Sequence, residues 1–323
     1  MDKAFKFKFF VNGNPKGMFN SKGSASDTGL QLGEDHLPYA SVLDSTNRDE
    51  RLVLILSPQD PAISATLRSN MTQNALVLAV AGNKAELIER CVDRFASRLA
   101  AEKKKEALTK SGEGHTFRSS VCPCCDSTVD LTGYEKTAYT YCRFCESLFG
   151  DGVENLKGAP QYRTCDECGY HDRVQGYGAF YFYFLLIIYG FRHSRSHLCD
   201  TCGKSLSNKL LAMNSIFLLG VPNAIACFVR ARAGKDHRMK SLAQANRLAQ
   251  KKKFDLAEAE YRKSLRVFKD HPGVHYNRAL AYLTSGDSET GLNALQDALK
   301  SCPNYLPALR VKQNLLEAVR SHQ

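Results

Sequence analysis

The chain has no Gly-rich phosphate loop, no Gly-x-Ser-x-Gly elbow and no His-Glu-x-x-His helix. Those absences exclude the commonest routes to nucleotide hydrolysis, acyl transfer and zinc proteolysis. The scattered histidines and carboxylates offer no pairing that would replace them. The opening residues, MDKAFKFKFFVNG, lack an apolar run long enough for a signal peptide. Acidic residues are the scarcer charge, 33 against 44 basic, which leaves a formal net charge of +11. That imbalance suits an acidic partner, whether anionic lipid, nucleic acid or an acidic protein tail. Basic residues cluster at Lys103-Lys104-Lys105, from Arg230 to Lys240, and at Lys251-Lys252-Lys253, and each run reads as a solvated helix face. The hydrophobic share of 43% and charged share of 24% are ordinary for a folded chain, so global disorder is excluded. A length of 323 residues allows two or three domains.

What the chain does have is cysteine in pairs. Eight of its twelve cysteines form four Cys-x-x-Cys turns: Cys122/Cys125, Cys142/Cys145, Cys165/Cys168 and Cys199/Cys202. Each turn presents two thiolates to one tetrahedral ion, and two turns complete a closed four-sulfur shell. A redox Cys-x-x-Cys needs one pair, not two at short range. With no export signal, such pairs point to metal in a reducing compartment rather than to disulfides. The expectation is two structural zinc ions held by these eight residues, with no open position for a reactive water. Sixteen residues separate the first two pairs. The segment from Val121 to Gly150 resembles a zinc ribbon, with Cys124 as a spare thiol and strands expected at Thr128–Leu131 and Thr137–Tyr141.

Thirty residues separate the last two pairs, and they include Tyr177 to Phe191, YGAFYFYFLLIIYGF, with no charge and eight aromatics. As a helix this stretch would be ~22 Å long, short of the ~30 Å hydrocarbon core. Its aromatics suit a membrane interface. One ion shared by Cys165, Cys168, Cys199 and Cys202 would keep both ends on one side of a bilayer, so the insert would dip and return, lie in the interface or pack inside protein. Cys165-x-x-Cys168 before the insert and His197-Leu198-Cys199-x-x-Cys202 after it resemble the LITAF domain, in which an apolar segment interrupts a zinc site and anchors the protein monotopically. His197 reads as a surface or supporting histidine, not a ligand. A second uncharged stretch, Leu210 to Val229, is long enough for one crossing, but Asn214, Pro222 and Asn223 interrupt it.

The first third reads as short strands, among them Phe5–Phe9, Leu52–Leu56 and Leu76–Val80. One amphipathic helix from about Asn83 to Leu108 follows, with Leu87, Ile88, Cys91, Val92, Phe95 and Leu99 on its stripe and Asn83 and Glu86 as a capping box. This order resembles a pleckstrin-homology-like (PH-like) domain, and Gly23–Leu30 with Leu37-Pro38-Tyr39 resembles the hairpin of bacterial PH and GRAM-type domains. Thr109 to His115 reads as a linker. At the other end, Pro272 to Tyr305 resembles one 34-residue tetratricopeptide repeat (TPR). Tyr276-Asn277 and Ala279 lie in its first helix, Gly286-Asp287 at its turn, Gly291 in its second helix and Pro303 at its end. A weaker copy precedes it, with Pro272 as a late terminator, and a cap helix follows from Leu306.

The fold class expected is therefore α+β and multidomain. A PH-like domain (1–110) precedes a zinc ribbon (116–152) and a second zinc module (160–206) interrupted by the insert at 177–191. An apolar helix (207–232) and an all-α TPR array (238–323) complete it. The order implies a non-enzymatic adaptor at the cytoplasmic face of a membrane, with a protein or peptide partner on the TPR concave face and an anionic membrane surface as the second contact. The alternative is a soluble cytoplasmic zinc-ribbon protein that binds nucleic acid.

Overall fold

The computed structural model describes residues 3–48, 51–82, 84–151, 161–185, 188–214, 221–232 and 239–321. The chain divides into two compact units, Met1–Gly133 and Tyr134–Gln323.

The first unit runs β1 (Lys3–Val11), β2 (Asn14–Pro15), β3 (Ser21–Ala25), β4 (Gly29–Leu32), β5 (Asp35–Pro38), β6 (Val42–Arg48), β7 (Arg51–Leu56), α1 (Ala65–Ser69), β8 (Met71–Thr72), β9 (Ala75–Val80), α2 (Ala85–Lys110), β10 (Ser119–Val121) and β11 (Thr128–Asp130). The strands up to β9 make one antiparallel sheet in the order β5-β4-β3-β1-β9-β7-β6, with β2 beside β1 and β8 beside β9. Period-two alternation puts Phe5 and Phe7 inward and leaves Lys6 exposed. Leu30, Leu52, Leu54, Leu76 and Leu78 complete the inner face, and Ile88 and Val92 of α2 pack on it. Tyr39 stacks on Phe95 with ring centroids 5.2 Å apart. Leu87, expected on the stripe, is exposed. Asn83 lies outside the described residues, and Lys84 starts the helix without a side-chain cap. Glu86 pairs with Arg90 instead, at 2.8 Å.

On this helix Glu89 is half-buried, and its pKa is pushed up to about 7, first by burial and then by Asp93. Asn47 of β6 hydrogen-bonds it, and Glu86 and Arg90 flank it with opposite effects. A carboxyl that holds its proton more tightly when folded makes the folded state lose stability as pH rises through the interval from about 4.5 to about 7. Thermal unfolding of the first unit should fall across that interval by the equivalent of ~2–3 kcal/mol, and Glu89→Gln should flatten the profile. An unchanged profile in the variant would assign the slope to other groups.

The second unit runs β12 (Thr140–Tyr141), β13 (Leu148–Phe149), β14 (Gln161–Thr164), β15 (His171–Leu185), β16 (Ile188–Cys199), α3 (Asp200–Asn214), α4 (Val221–Arg230), α5 (Lys240–Gln250), α6 (Phe254–Val267), α7 (Pro272–Ser285), α8 (Ser288–Ser301) and α9 (Leu306–Ser321). The apolar insert is not a helix. Tyr177 to Leu185 and Ile188 to Phe191 form most of two paired antiparallel strands, joined in register from Val174↔Cys199 to Leu185↔Ile188, with residues 186–187 outside the described set. Consecutive aromatic and β-branched residues favour the pleated state over the helix, where they lose side-chain freedom. Among the described residues β14 pairs with His171–Val174, and beyond that point the hairpin is a two-stranded ribbon. α4 braces its base, with Asn223 donating to the Gly178 carbonyl at 3.0 Å and Gln175 to the Arg230 carbonyl at 3.1 Å.

The second apolar stretch, expected as an apolar helix over 207–232, lies partly in α3 and partly in α4, and residues 215–220 between them are outside the described set. Among the described residues no helix is long and apolar enough to cross a membrane.

The C-terminal helices form two hairpins, α5–α6 and α7–α8, followed by α9. Gly286 closes α7 in the left-handed region at φ 93°. Asp287 then caps α8, accepting from the Thr290 amide at 3.1 Å. Pro272 opens α7 rather than ending the helix before it.

Candidate metal centres

Three of the four Cys-x-x-Cys turns share one local plan. The first cysteine amide donates to the carbonyl five residues on: Cys122 to Ser127 (2.9 Å), Cys142 to Ser147 (2.8 Å) and Cys165 to Tyr170 (2.9 Å). The residue after the second cysteine is left-handed in each, Asp126 at φ 60°, Glu146 at 58° and Gly169 at 73°. Two of those residues are not glycine, and holding them there costs roughly 1 kcal/mol each, which only an over-determined turn tolerates. Each knuckle joins its own short hairpin, β10 with β11, β12 with β13, β14 with β15. The strands expected at Thr128–Leu131 and Thr137–Tyr141 are present in part, as β11 and β12, and each pairs with its own neighbour rather than with the other.

The fourth turn differs. Cys199 ends β16 and Cys202 lies in the first turn of α3, where the helix dipole favours a thiolate. The glycine after it, Gly203, is helical. A Cβ there would lie 2.5 Å from the Tyr177 ring, so this glycine serves the close approach of strand to helix, not a knuckle turn. Two locks hold the junction. Arg173 of β15, 6% exposed, grips both oxygens of Asp200 at 2.6 and 2.7 Å. Asp166 of the third knuckle accepts from the His197 amide at 2.6 Å, and its own amide donates to the His197 carbonyl at 3.0 Å. His197 thus works through its backbone.

The ligand atoms of Cys122, Cys125, Cys142 and Cys145 all lie within 4.8 Å of one another, and so do those of Cys165, Cys168, Cys199 and Cys202. In each group three residues are buried and one half-buried. These are the eight cysteines that the spacing pairs. Cys124 is exposed and belongs to neither group. The second group fits zinc closely. A tetrahedron with Zn–S bonds of ~2.3 Å has an edge of ~3.8 Å, and Cys168 and Cys199 sulfurs stand 3.9 Å apart. The Cys199 amide also donates to the Cys165 sulfur at 3.3 Å, as expected for a thiolate acceptor. Sulfur-bound protons of Cys168, Cys199 and Cys202 hold the Cys165 thiol far below its ordinary value, while hydrogen bonding to Cys165, together with burial, pushes Cys199 and the others up. One divalent ion would relieve this for all four.

The helices hold the metal-bearing strands by a device the sequence did not reveal. Asn277 of α7 accepts from the His171 amide at 2.7 Å and donates to the His171 carbonyl at 2.7 Å. Asn246 of α5, 31 residues earlier, donates to the same carbonyl at 3.0 Å and accepts from Asn277 and Tyr261. Asn304 repeats the bracket on Tyr141, accepting from its amide at 3.0 Å and donating to its carbonyl at 2.8 Å. Around these contacts Tyr139, Tyr141 and Leu148 pack with Tyr276, Leu295 and Tyr305, and Tyr170 packs with Leu242, Tyr261 and Val274. His171 is fully buried, its Nδ1 3.2 Å from the Tyr305 hydroxyl, and burial followed by the nearby His271 keeps it neutral. The repeat-like spacing of Asn246 and Asn277 was the one available signal; nothing in the sequence marks Asn304, Arg173 or Asp200.

No family, no curated protein and no solved structure matches the chain.

Proposed function

We propose that this chain is a non-enzymatic adaptor, built on two structural zinc ions, that attaches to a membrane surface and presents its helical hairpins to a protein partner. The zinc ions are assigned to Cys122, Cys125, Cys142, Cys145 and to Cys165, Cys168, Cys199, Cys202. Four sulfurs leave no position for a reactive water. The observation that carries the membrane half is the aromatic hairpin. Its two strands stay paired over their whole length, so the ends return to one four-sulfur centre while the apolar ribbon extends away from it. Unpaired ribbon edges cannot enter the hydrocarbon core, but aromatic side chains settle at the interface, and Arg192 and Arg195 on the returning strand suit anionic headgroups. The cytoplasmic leaflet is the proposed location.

The N-terminal sheet with its closing helix supports the PH-like reading, and the Gly286-Asp287 turn with Gly291 packed under Leu283 supports the TPR reading. The inner helices α5 and α7 already grip His171, so a partner uses another surface of the array.

Flotation with vesicles containing phosphatidylserine tests the membrane half. The intact chain should float, and the pair Phe182→Ser and Phe184→Ser should leave it at the bottom with both zinc ions retained. A wild-type chain that stays with the soluble fraction would remove the membrane from the reading.

A further inference from the structure

One residue from each of two basic runs that the metal centres leave unexplained, Lys240 and Lys251, lines one cleft. It has a volume of about 650 Å³ and lies between the first turns of α3 and the length of α5. Lys204 of α3 lines one side, and Lys240, Arg247 and Lys251, at α5 and its C-terminal cap, line the other together with Met239 and Ala243. Lys240 ends the run that begins at Arg230, and Lys251 opens the run that ends at Lys253. The two carboxylates in the walls are already engaged, Asp200 by Arg173 and Asp172 by Asn246 at 2.9 Å. Among the described residues, no carboxylate pairs with Lys204, Lys240, Arg247 or Lys251.

The spacing of these cations selects the ligand. Lys240, Arg247 and Lys251 fall on one side of α5 and spread over eleven residues, or ~16 Å. A single phosphate would meet one or two of them. In an extended peptide, carboxylates on alternate residues are ~7 Å apart, so three of them span ~14 Å, close to the overall length of the row, and the long cationic side chains bridge its uneven gaps of ~10 and ~6 Å. Opposite charge along such a row raises association rate and fixes register.

We propose that this cleft binds an extended acidic segment of a partner protein. It supplies the partner contact of the adaptor reading and rests on that reading only there; flotation and peptide binding are separate readouts, so either can fail alone.

The test is fluorescence anisotropy of the full zinc-loaded chain with a labelled peptide of alternating Glu and Leu. A single-stranded oligonucleotide of equal charge and inorganic triphosphate serve as comparison ligands. The peptide should bind, more weakly as salt rises. The pair Lys240→Glu and Arg247→Glu should weaken binding by at least about tenfold, whereas the equal charge change Lys103→Glu and Lys105→Glu in the first unit should leave it nearly unaltered. Far-UV circular dichroism and zinc content check that each variant is folded, and Lys240→Gln with Arg247→Gln should give an intermediate loss. Absence of peptide binding at low salt would overturn the proposal. Equal losses from both charge-reversed pairs would do so too, as would oligonucleotide or triphosphate bound through the same residues in preference to the peptide.

Discussion

Replacing Cys199 by serine should lower the zinc content of the chain from two ions to one and open the second centre. Cys199 contributes twice to that centre. Its sulfur stands 3.9 Å from Cys168, near the edge length of a zinc–sulfur tetrahedron, and its amide donates to the Cys165 sulfur. The consequence for stability is large because one ion ties the β14–β15 turn to the junction of β16 with α3. One pair of ligands ends the β14–β15 turn, and the other spans the junction of β16 with α3. Apparent binding energies of structural zinc sites are roughly 10–16 kcal/mol at neutral pH, comparable with the whole net stability of a domain. The Arg173–Asp200 pair and the Asn277 bracket retain part of the arrangement, so the helical hairpins should keep their circular dichroism while the three-stranded sheet loses protection in hydrogen exchange. Metal content measured without chelators or affinity-bound metal decides the assignment. Cys124→Ser is the control and should retain two ions. Two ions retained in Cys199→Ser would exclude Cys199 as a ligand.

Much of this centre was legible because its chemistry is local. A Cys-x-x-Cys pair states its purpose within four residues, and two pairs suffice to state a site. The same locality explains what could not be read. The insert at Tyr177–Phe191 is uniformly apolar, so it carries neither the period of a helix nor that of a strand, and the local preference of its aromatics for the pleated state is realised through pairing with β16. The stripe of α2 was legible apart from Leu87, which the 3.6-residue period placed one position too wide. Gly203 follows Cys202 as Gly169 follows Cys168, but its constraint is the ring of Tyr177, 26 positions earlier. The Arg173–Asp200 pair and the Asn304 bracket join residues far apart in sequence, and neither side chain has a local pattern that announces its partner.

The Asn277 bracket yields the second large effect. Asn277 is fully buried and satisfies both the amide and the carbonyl of His171, and it also donates to Asn246. No water-exposed route replaces these bonds, because His171 is itself 1% exposed. Asn277→Ala removes the partners and leaves buried backbone groups behind, which costs roughly 2–4 kcal/mol, more than the loss of the same bonds at a surface. His171 follows the knuckle that carries Cys165 and Cys168 by three residues, so the loss should reach the metal. Chelator-driven zinc release should show two phases, one per centre, and Asn277→Ala should accelerate one of them while leaving the other near its wild-type rate. Asn304→Ala should act on the opposite phase, since its bracket holds Tyr141, next to Cys142. If melting temperature falls in both variants while neither release phase changes, the helices and the metal centres are energetically independent, and the brackets serve packing alone.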